Sequence, residues 1–188
     1  MQKIICLYGR PAAGKNTQAK KLAKEFNMKI FGMGDALRAE IESGSELGQQ
    51  IKSYVDEGTL VPDELMEQII KNIKSDESTT GIIFDGFPRM LSQALMLEKI
   101  IKESKFDFVG YFLIKVSTET ALHRITERGK LTNRPDDVDQ EAVKNRLDAF
   151  DEQSVHLIKH YADLNKLIEI DGEKSIEEVY KQITKNIN

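Results

Sequence analysis

Long apolar runs are missing from this chain of 188 residues; the longest, Ile4 to Tyr8, falls far short of the roughly 20 residues that a membrane-spanning helix requires. Cysteine is almost absent. Cys6 alone excludes an internal disulfide and a cysteine-based zinc cluster, and its place inside the apolar run marks it as a small buried hydrophobe. A basic excess is lacking too: 27 Lys and Arg against 31 Asp and Glu leave a formal charge of −4, which argues against a nucleic-acid partner. The N-terminal Met1-Gln2-Lys3 enters the apolar run without the apolar core and small-residue cleavage site of a secretory signal, so a cytoplasmic location is expected. Arginine is scarce, with only seven among the 27 basic residues, and where those seven stand becomes informative because arginine grips phosphate through a planar fork of donors.

At roughly 100 to 200 residues per domain, the length corresponds to one compact unit. Hydrophobic residues at 40% and charged residues at 31% are ordinary for an ordered globular chain. Short apolar runs alternate with helix-period stretches. KIICLY precedes a helix reaching Phe26, GIIFD a helix from about Met90 to Lys102, FVGYFLIKV a helix ending near Arg128, and KLIEID a helix over Ser175 to Ile187. Strands rich in Ile, Val, Leu and Phe spaced by helices predict an α/β fold, a parallel sheet with helices on both faces. Residues 32–74 break the alternation and read as helical pieces with turns at Ser43-Gly44, Gly58 and Pro62. Residues 129–137 (GKLTNRPDD) are polar and rich in turn formers, and predict an exposed loop between two helices. In the long helix after Asp139, Val143, Leu147 and Phe150 form a stripe at helical spacing that faces the core.

After the first strand stands Gly9-Arg10-Pro11-Ala12-Ala13-Gly14-Lys15-Asn16-Thr17, which fits G-x-x-x-x-G-K with Asn where a hydroxyl residue is usual and Thr one place later. Backbone N–H groups of a tight loop opening a helix converge on an anion, the helix dipole adds to them, and a lysine reaches the outer phosphates.

With the flanking Thr17-Gln18, the loop resembles that of nucleoside monophosphate kinases, adenylate kinases in particular. Gly34-Asp35-Ala36-Leu37-Arg38, Gly58-Thr59-Leu60-Val61-Pro62, Asp85-Gly86-Phe87-Pro88-Arg89 and Ile170-Asp171-Gly172 with Lys174 resemble the family's later motifs in the family's order, over nearly the whole chain. The resemblance implies a P-loop NTPase-type five-stranded parallel sheet. It divides the chain into a core of 1–31, 75–128 and 138–188, a helical acceptor-binding insertion at 32–74 and a short lid at 129–137.

It further implies a monomer that transfers phosphate from ATP to AMP with Mg²⁺ and without zinc. Gly9, Ala12, Ala13, Gly14, Lys15, Asn16 and Thr17 are then expected to cradle ATP, with Arg124 on its adenine and Arg128 and Lys174 nearby. Arg38, Arg89, Arg134 and Arg146 hold the acceptor's phosphate, and Met33, Thr59, Leu60, Val61, Gly86, Phe87, Pro88 and Gln93 line its pocket. Lys15, Arg89, Arg128, Arg134 and Arg146 form the catalytic set, while Asp85 and Thr17 reach the metal through water. His123, His156 and His160 match no motif and read as structural or surface residues.

Two departures keep alternatives open. Gln93 matches adenylate kinases, yet Met33 stands where they usually carry threonine and pyrimidine kinases alanine, so a UMP/CMP or broad-specificity kinase is the neighbouring reading. Ala12 and Asn16 replace glycines common in the loop. Asparagine tolerates positive φ better than alanine does, and a nucleotide sensor without turnover is the reading of a different class that these changes motivate.

Overall fold

The computed structural model describes residues 1–70, 78–104, 106–132 and 135–187. Five parallel strands form one sheet in the order β2-β3-β1-β4-β5. They are β1 (Lys3–Tyr8), β2 (Met28–Gly32), β3 (Gly81–Asp85), β4 (Asp107–Lys115) and β5 (Leu167–Asp171). The apolar runs account for four of them. β2, MKIFG, is a short edge strand in which Met28 alone is buried, too little for a continuous apolar signal, and its pairing with β3 defines it.

The described helices are α1 (Lys15–Phe26), α2 (Met33–Glu42), α3 (Glu46–Glu57), α4 (Asp63–Ile70), α5 (Leu91–Ser104), α6 (Thr118–Thr132), α7 (Pro135–Val138), α8 (Gln140–Asp163) and α9 (Ile176–Thr184). On one face of the sheet, Ile5 and Leu7 of β1 pack with Ala19 and Leu22 of α1, Ala121 and Ile125 of α6, and Val179 and Ile183 of α9. On the other, Ile4, Cys6 and Tyr8 pack with Met33 and Leu37 of α2, Ile51 of α3, Ala94 and Leu97 of α5, and Leu157 and Tyr161 of α8. Cys6 is fully enclosed there, as its sequence context suggested. Truncating a side chain as buried as Leu22 to alanine costs about 2–5 kcal/mol, so these two layers hold the molecule together.

α1, which follows β1, and α5, which follows β3, cover opposite faces although their strands are neighbours. Connections that part in this way leave a crevice at the carboxyl ends of the strands, the usual ligand position in open α/β sheets. The core stripe of α8 is divided: Val143 and Leu147 belong to one layer, while Phe150 packs against the other.

The exposed loop expected at 129–137 is corrected by the fold. α6 runs on to Thr132, and Pro135–Val138 forms a short helix wedged between α6 and α8. Turn-forming composition suggested a loop, but the ion pairs of Asp137 described below pin α7 in place. Asp139 caps α8, its carboxylate accepting from the N–H groups of Glu141 and Ala142.

Candidate active site

Between β1 and α1 the chain turns tightly. A Cβ on Gly9 would stand 2.4 Å from the carbonyl oxygen of Ile114, so only glycine permits this approach of the loop to β4. Ala12 holds a left-handed conformation at φ 60. Gly14 is the N-cap of α1 without a side-chain cap, and the first turn contains no acidic residue, so its N–H groups and the positive end of the dipole are left for an anion. Asn16 lies inside the helix, and its tolerance of positive φ is not called upon. Its amide instead donates to Asp85 Oδ2 at 3.2 Å.

Lys15 Nζ donates to the carbonyls of Gly9 (2.7 Å) and Arg10 (2.9 Å). Burial lowers its pKa to about 8; nearby Asp85 opposes the shift, and Arg89, Arg146 and Arg128 add to it. Around this lysine the arginines outnumber the one nearby carboxylate, Asp85.

β3 ends at Asp85, and Gly86 N–H donates to Leu7 O at 2.9 Å, fixing the following turn against β1. Phe87 is fully buried, and Pro88 O accepts from the Tyr111 hydroxyl at 3.1 Å. Arg89 Nε donates to Gly86 O (2.8 Å) and its backbone N–H to Gln93 Oε1 (2.8 Å), which ties the buried Gln93 amide to the start of α5. Burial lowers the pKa of Arg89, opposed by Tyr8.

The acceptor side is closed by α2 and α3. Met33 is buried on the cleft floor, and Arg38 is paired with Asp35 one turn earlier. Thr59, Leu60 and Val61 follow α3, where Gly58 at φ 71 lets the chain pass so close to α8 that a Cβ would meet Ala142 O at 2.6 Å. Asn145 Nδ2 donates to Glu57 O at 3.0 Å across the same junction.

On the opposite wall, Arg124 Nη2 donates to Gly172 O at 3.2 Å. Arg128 grips Asp137 with two bonds, Nε to Oδ2 at 2.6 Å and Nη2 to Oδ1 at 2.7 Å, and Arg146 Nη1 reaches Oδ1 at 3.0 Å. The Asp137 side chain is completely covered. Burial would raise its pKa, but the hydrogen bonds and charges of the two arginines outweigh this and hold it below the ordinary value. All these walls enclose one cleft of about 440 Å³, whose lining carries, among the described residues, Lys15, Arg38, Arg89, Arg124, Arg128 and Arg146 against Asp35 and Asp85. Such a site is built for a polyanion.

The family model described as adenylate kinase matches residues 7–166. The chain belongs to the adenylate kinase family. It is 36% identical over 185 residues to the adenylate kinase of Parabacteroides distasonis, covering 98% of this chain and 97% of the relative. It is also 41% identical over 182 residues to that of Caulobacter vibrioides, covering 95% and 94%.

In this adenylate kinase family member, the cleft is lined by Gly9, Ala12, Gly14, Lys15, Asn16 and Thr17 of the phosphate loop, and by Arg124 and Arg128. Met33, Arg38, Thr59, Leu60, Val61, Asp85, Gly86, Arg89, Gln93 and Arg146 line it as well. Ala13, Phe87 and Pro88 are buried beneath the wall. Lys174 is exposed outside the lining, 3.9 Å from Asp171 Oδ2. Arg134 lies outside the described residues.

Arg10 turns away from the cleft: Nη1 donates to Val116 O (2.9 Å), Nη2 pairs with Asp151 (2.6 Å), and the guanidinium lies 5.3 Å from the Phe150 ring centroid. His123 and His156 are exposed, while His160 Nε2 lies 2.6 Å from Glu98 Oε1. Tyr8, which no motif marks, and Phe150, read from the sequence as a core-facing residue, also line the cleft. Strand alternation places Tyr8 on the face of Ile4 and Cys6, and its position just before Gly9 was the available signal.

Proposed function

We propose that the protein is an ATP:AMP phosphotransferase that interconverts ATP plus AMP with two ADP. The observation that carries this reading is the gathering of Lys15 and five arginines around one cleft that begins at an uncapped helix N-terminus. The attacking atom is a phosphate oxygen, already anionic, so the reaction needs alignment and charge stabilisation but no general base.

In this reading the phosphate loop and Arg124 hold ATP, and Lys15 follows the moving charge. Arg38, Arg89 and Arg146 hold the acceptor phosphate, and Arg128 contacts the transferring group, as does Arg134 from the lid. Met33, Val61 and Gln93 receive the acceptor base. The segments 32–74 and 129–137 close over the core of 1–31, 75–128 and 138–188 and exclude water.

Among the described residues no group of three or more His, Cys, Asp or Glu could hold a metal by itself. An all-oxygen pair, the Asp85 carboxylate and the Thr17 hydroxyl at the phosphate loop, fits a hydrated hard cation carried by the nucleotide. Mg²⁺ held there would neutralise charge between the β- and γ-phosphates. Asp85 would orient its waters, with Asn16 steadying the carboxylate. No described helix is long and apolar enough to cross a membrane, and we read the protein as a cytoplasmic monomer.

The test is ADP formation with Mg²⁺ and ATP, offering AMP, CMP, UMP and GMP in parallel, beside a control without acceptor. AMP is expected to lead by a wide margin. A pyrimidine acceptor in front would overturn the choice of substrate, and ATP binding without transfer would overturn the enzyme reading.

A further inference from the structure

Tyr8 is the residue of the cleft to which nothing above gives a task. It ends β1, is 4% exposed, and lines the cleft beside the phosphate loop. Its ring is held from two sides, 5.2 Å from the Tyr111 ring centroid and, stacked, 5.1 Å from that of Phe150. A side chain clamped in this way has lost its rotamer freedom before any ligand arrives, which is what preorganised binding requires.

The hydroxyl distinguishes it from its neighbours. The Tyr111 hydroxyl is committed to Pro88 O, next to Arg89. The Tyr161 hydroxyl is unpartnered, but it lies within the core and outside the cleft lining. The Tyr8 hydroxyl makes no hydrogen bond to any described residue, and Arg89 is its foremost charged neighbour. The hydroxyl is not sealed in the core, and the side on which it is open to a partner is the cleft. Lys15 and Arg89 line the same cleft, held by backbone carbonyls, and neither makes an ion pair with a described carboxylate. The partner that satisfies both the hydroxyl and the cations is therefore an anionic oxygen.

We propose that the Tyr8 hydroxyl donates a hydrogen bond to the phosphate of the acceptor nucleotide, beside Arg89. This rests on the phosphotransferase reading. Arg89 leaves the turn that Tyr111 pins, and Tyr8 leans on the same Tyr111 ring, so donor and guanidinium are set against one support. Burial, opposed by Arg89 and assisted by Asp151, pushes the Tyr8 pKa up to about 12, so the group stays a neutral donor throughout the working range and does not serve as a base.

Tyr8→Phe removes the oxygen and keeps the ring stack, and it is expected to unfold at the same temperature as the natural protein. Its kcat/KM for AMP should fall roughly tenfold or more, the effect of losing a hydrogen bond to a charged group, while KM for ATP stays within about twofold. Binding of adenosine, which lacks the phosphate, should be equal in the two proteins, and binding of AMP weaker in the variant. Unchanged AMP kinetics, or equal weakening of AMP and adenosine, would overturn the assignment and leave Tyr8 a packing residue. If the natural protein itself transfers no phosphate, the phosphotransferase reading fails first, an outcome distinct from a natural protein and a variant that are equally active.

Discussion

Arg128 and Asp137 are joined by a two-bonded fork at 2.6 and 2.7 Å, and the carboxylate is completely covered from solvent. The same carboxylate takes a third bond from Arg146. One acid thus aims two cleft arginines and fastens α7 between α6 and α8.

Replacing Asp137 by Asn removes the carboxylate charge that the two guanidinium groups share. Stability should drop by about 1–3 kcal/mol, the cost of stranding buried hydrogen-bonding groups. The sign of its pH dependence follows from a folded pKa below the unfolded value: the carboxylate's contribution is fully present above the unfolded pKa of about 4 and is lost as pH falls through the lower folded value. Thermal melts of the two proteins are expected to differ by a constant amount above about pH 5 and to converge in stronger acid.

Lys15, with its pKa lowered to about 8, is charged below that pH and neutral above it. If transfer needs the ammonium, kcat/KM, which reports the free enzyme, should decline as pH rises through about 8. Bound phosphates favour the charged form, so the decline of kcat should come at higher pH. Lys15→Ala should lower kcat at least about a hundredfold, as loss of one preorganised charge stabiliser typically does, measured from initial rates across pH.

Ala12 occupies a left-handed conformation that costs a residue with a Cβ roughly 1–2 kcal/mol. Glycine removes that strain but adds unfolded-state entropy worth about 0.4–1 kcal/mol. Ala12→Gly should therefore stabilise by about 0.5–1 kcal/mol, the balance of the two effects. Chemical denaturation with an unchanged m-value is the check.

Gln93 receives Arg89 N–H on its Oε1 while its Nε2 has only a 3.7 Å contact to Met90 Sδ, leaving the amide able to serve a base. Asparagine, one methylene shorter, cannot keep the Arg89 bond and reach the base as well. Gln93→Asn should lower kcat/KM for AMP roughly tenfold to a hundredfold, the range for losing a hydrogen bond in a site built around it, and should reduce the preference over CMP and UMP in competition assays.

Much of this architecture is readable locally. A strand of five apolar residues followed by G-x-x-x-x-G-K needs only nearest-neighbour physics, and Lys15 can be named from it; Asp85 and Arg89 were named through the resemblance of Asp85-Gly86-Phe87-Pro88-Arg89 to a family motif. β2 was less legible, because an edge strand half open to solvent carries little apolar signal and depends on its pairing with Phe84 and its neighbours. Composition pointed the wrong way at 129–137, where ion pairs overrode the turn formers.

Periodicity and loop chemistry, encoded within a few residues, are enough for the class of fold, the phosphate loop and the scarcity that made seven arginines worth following. Which way those arginines face depends on the packed chain. Arg10 stands in the loop yet binds Asp151, 141 positions away, and Tyr8 becomes a cleft residue because Phe150 and Tyr111 are folded against it. Such partners are chosen by the order of strands and the packing of α8 on the sheet, and a side chain's direction is set by what the whole chain leaves beside it.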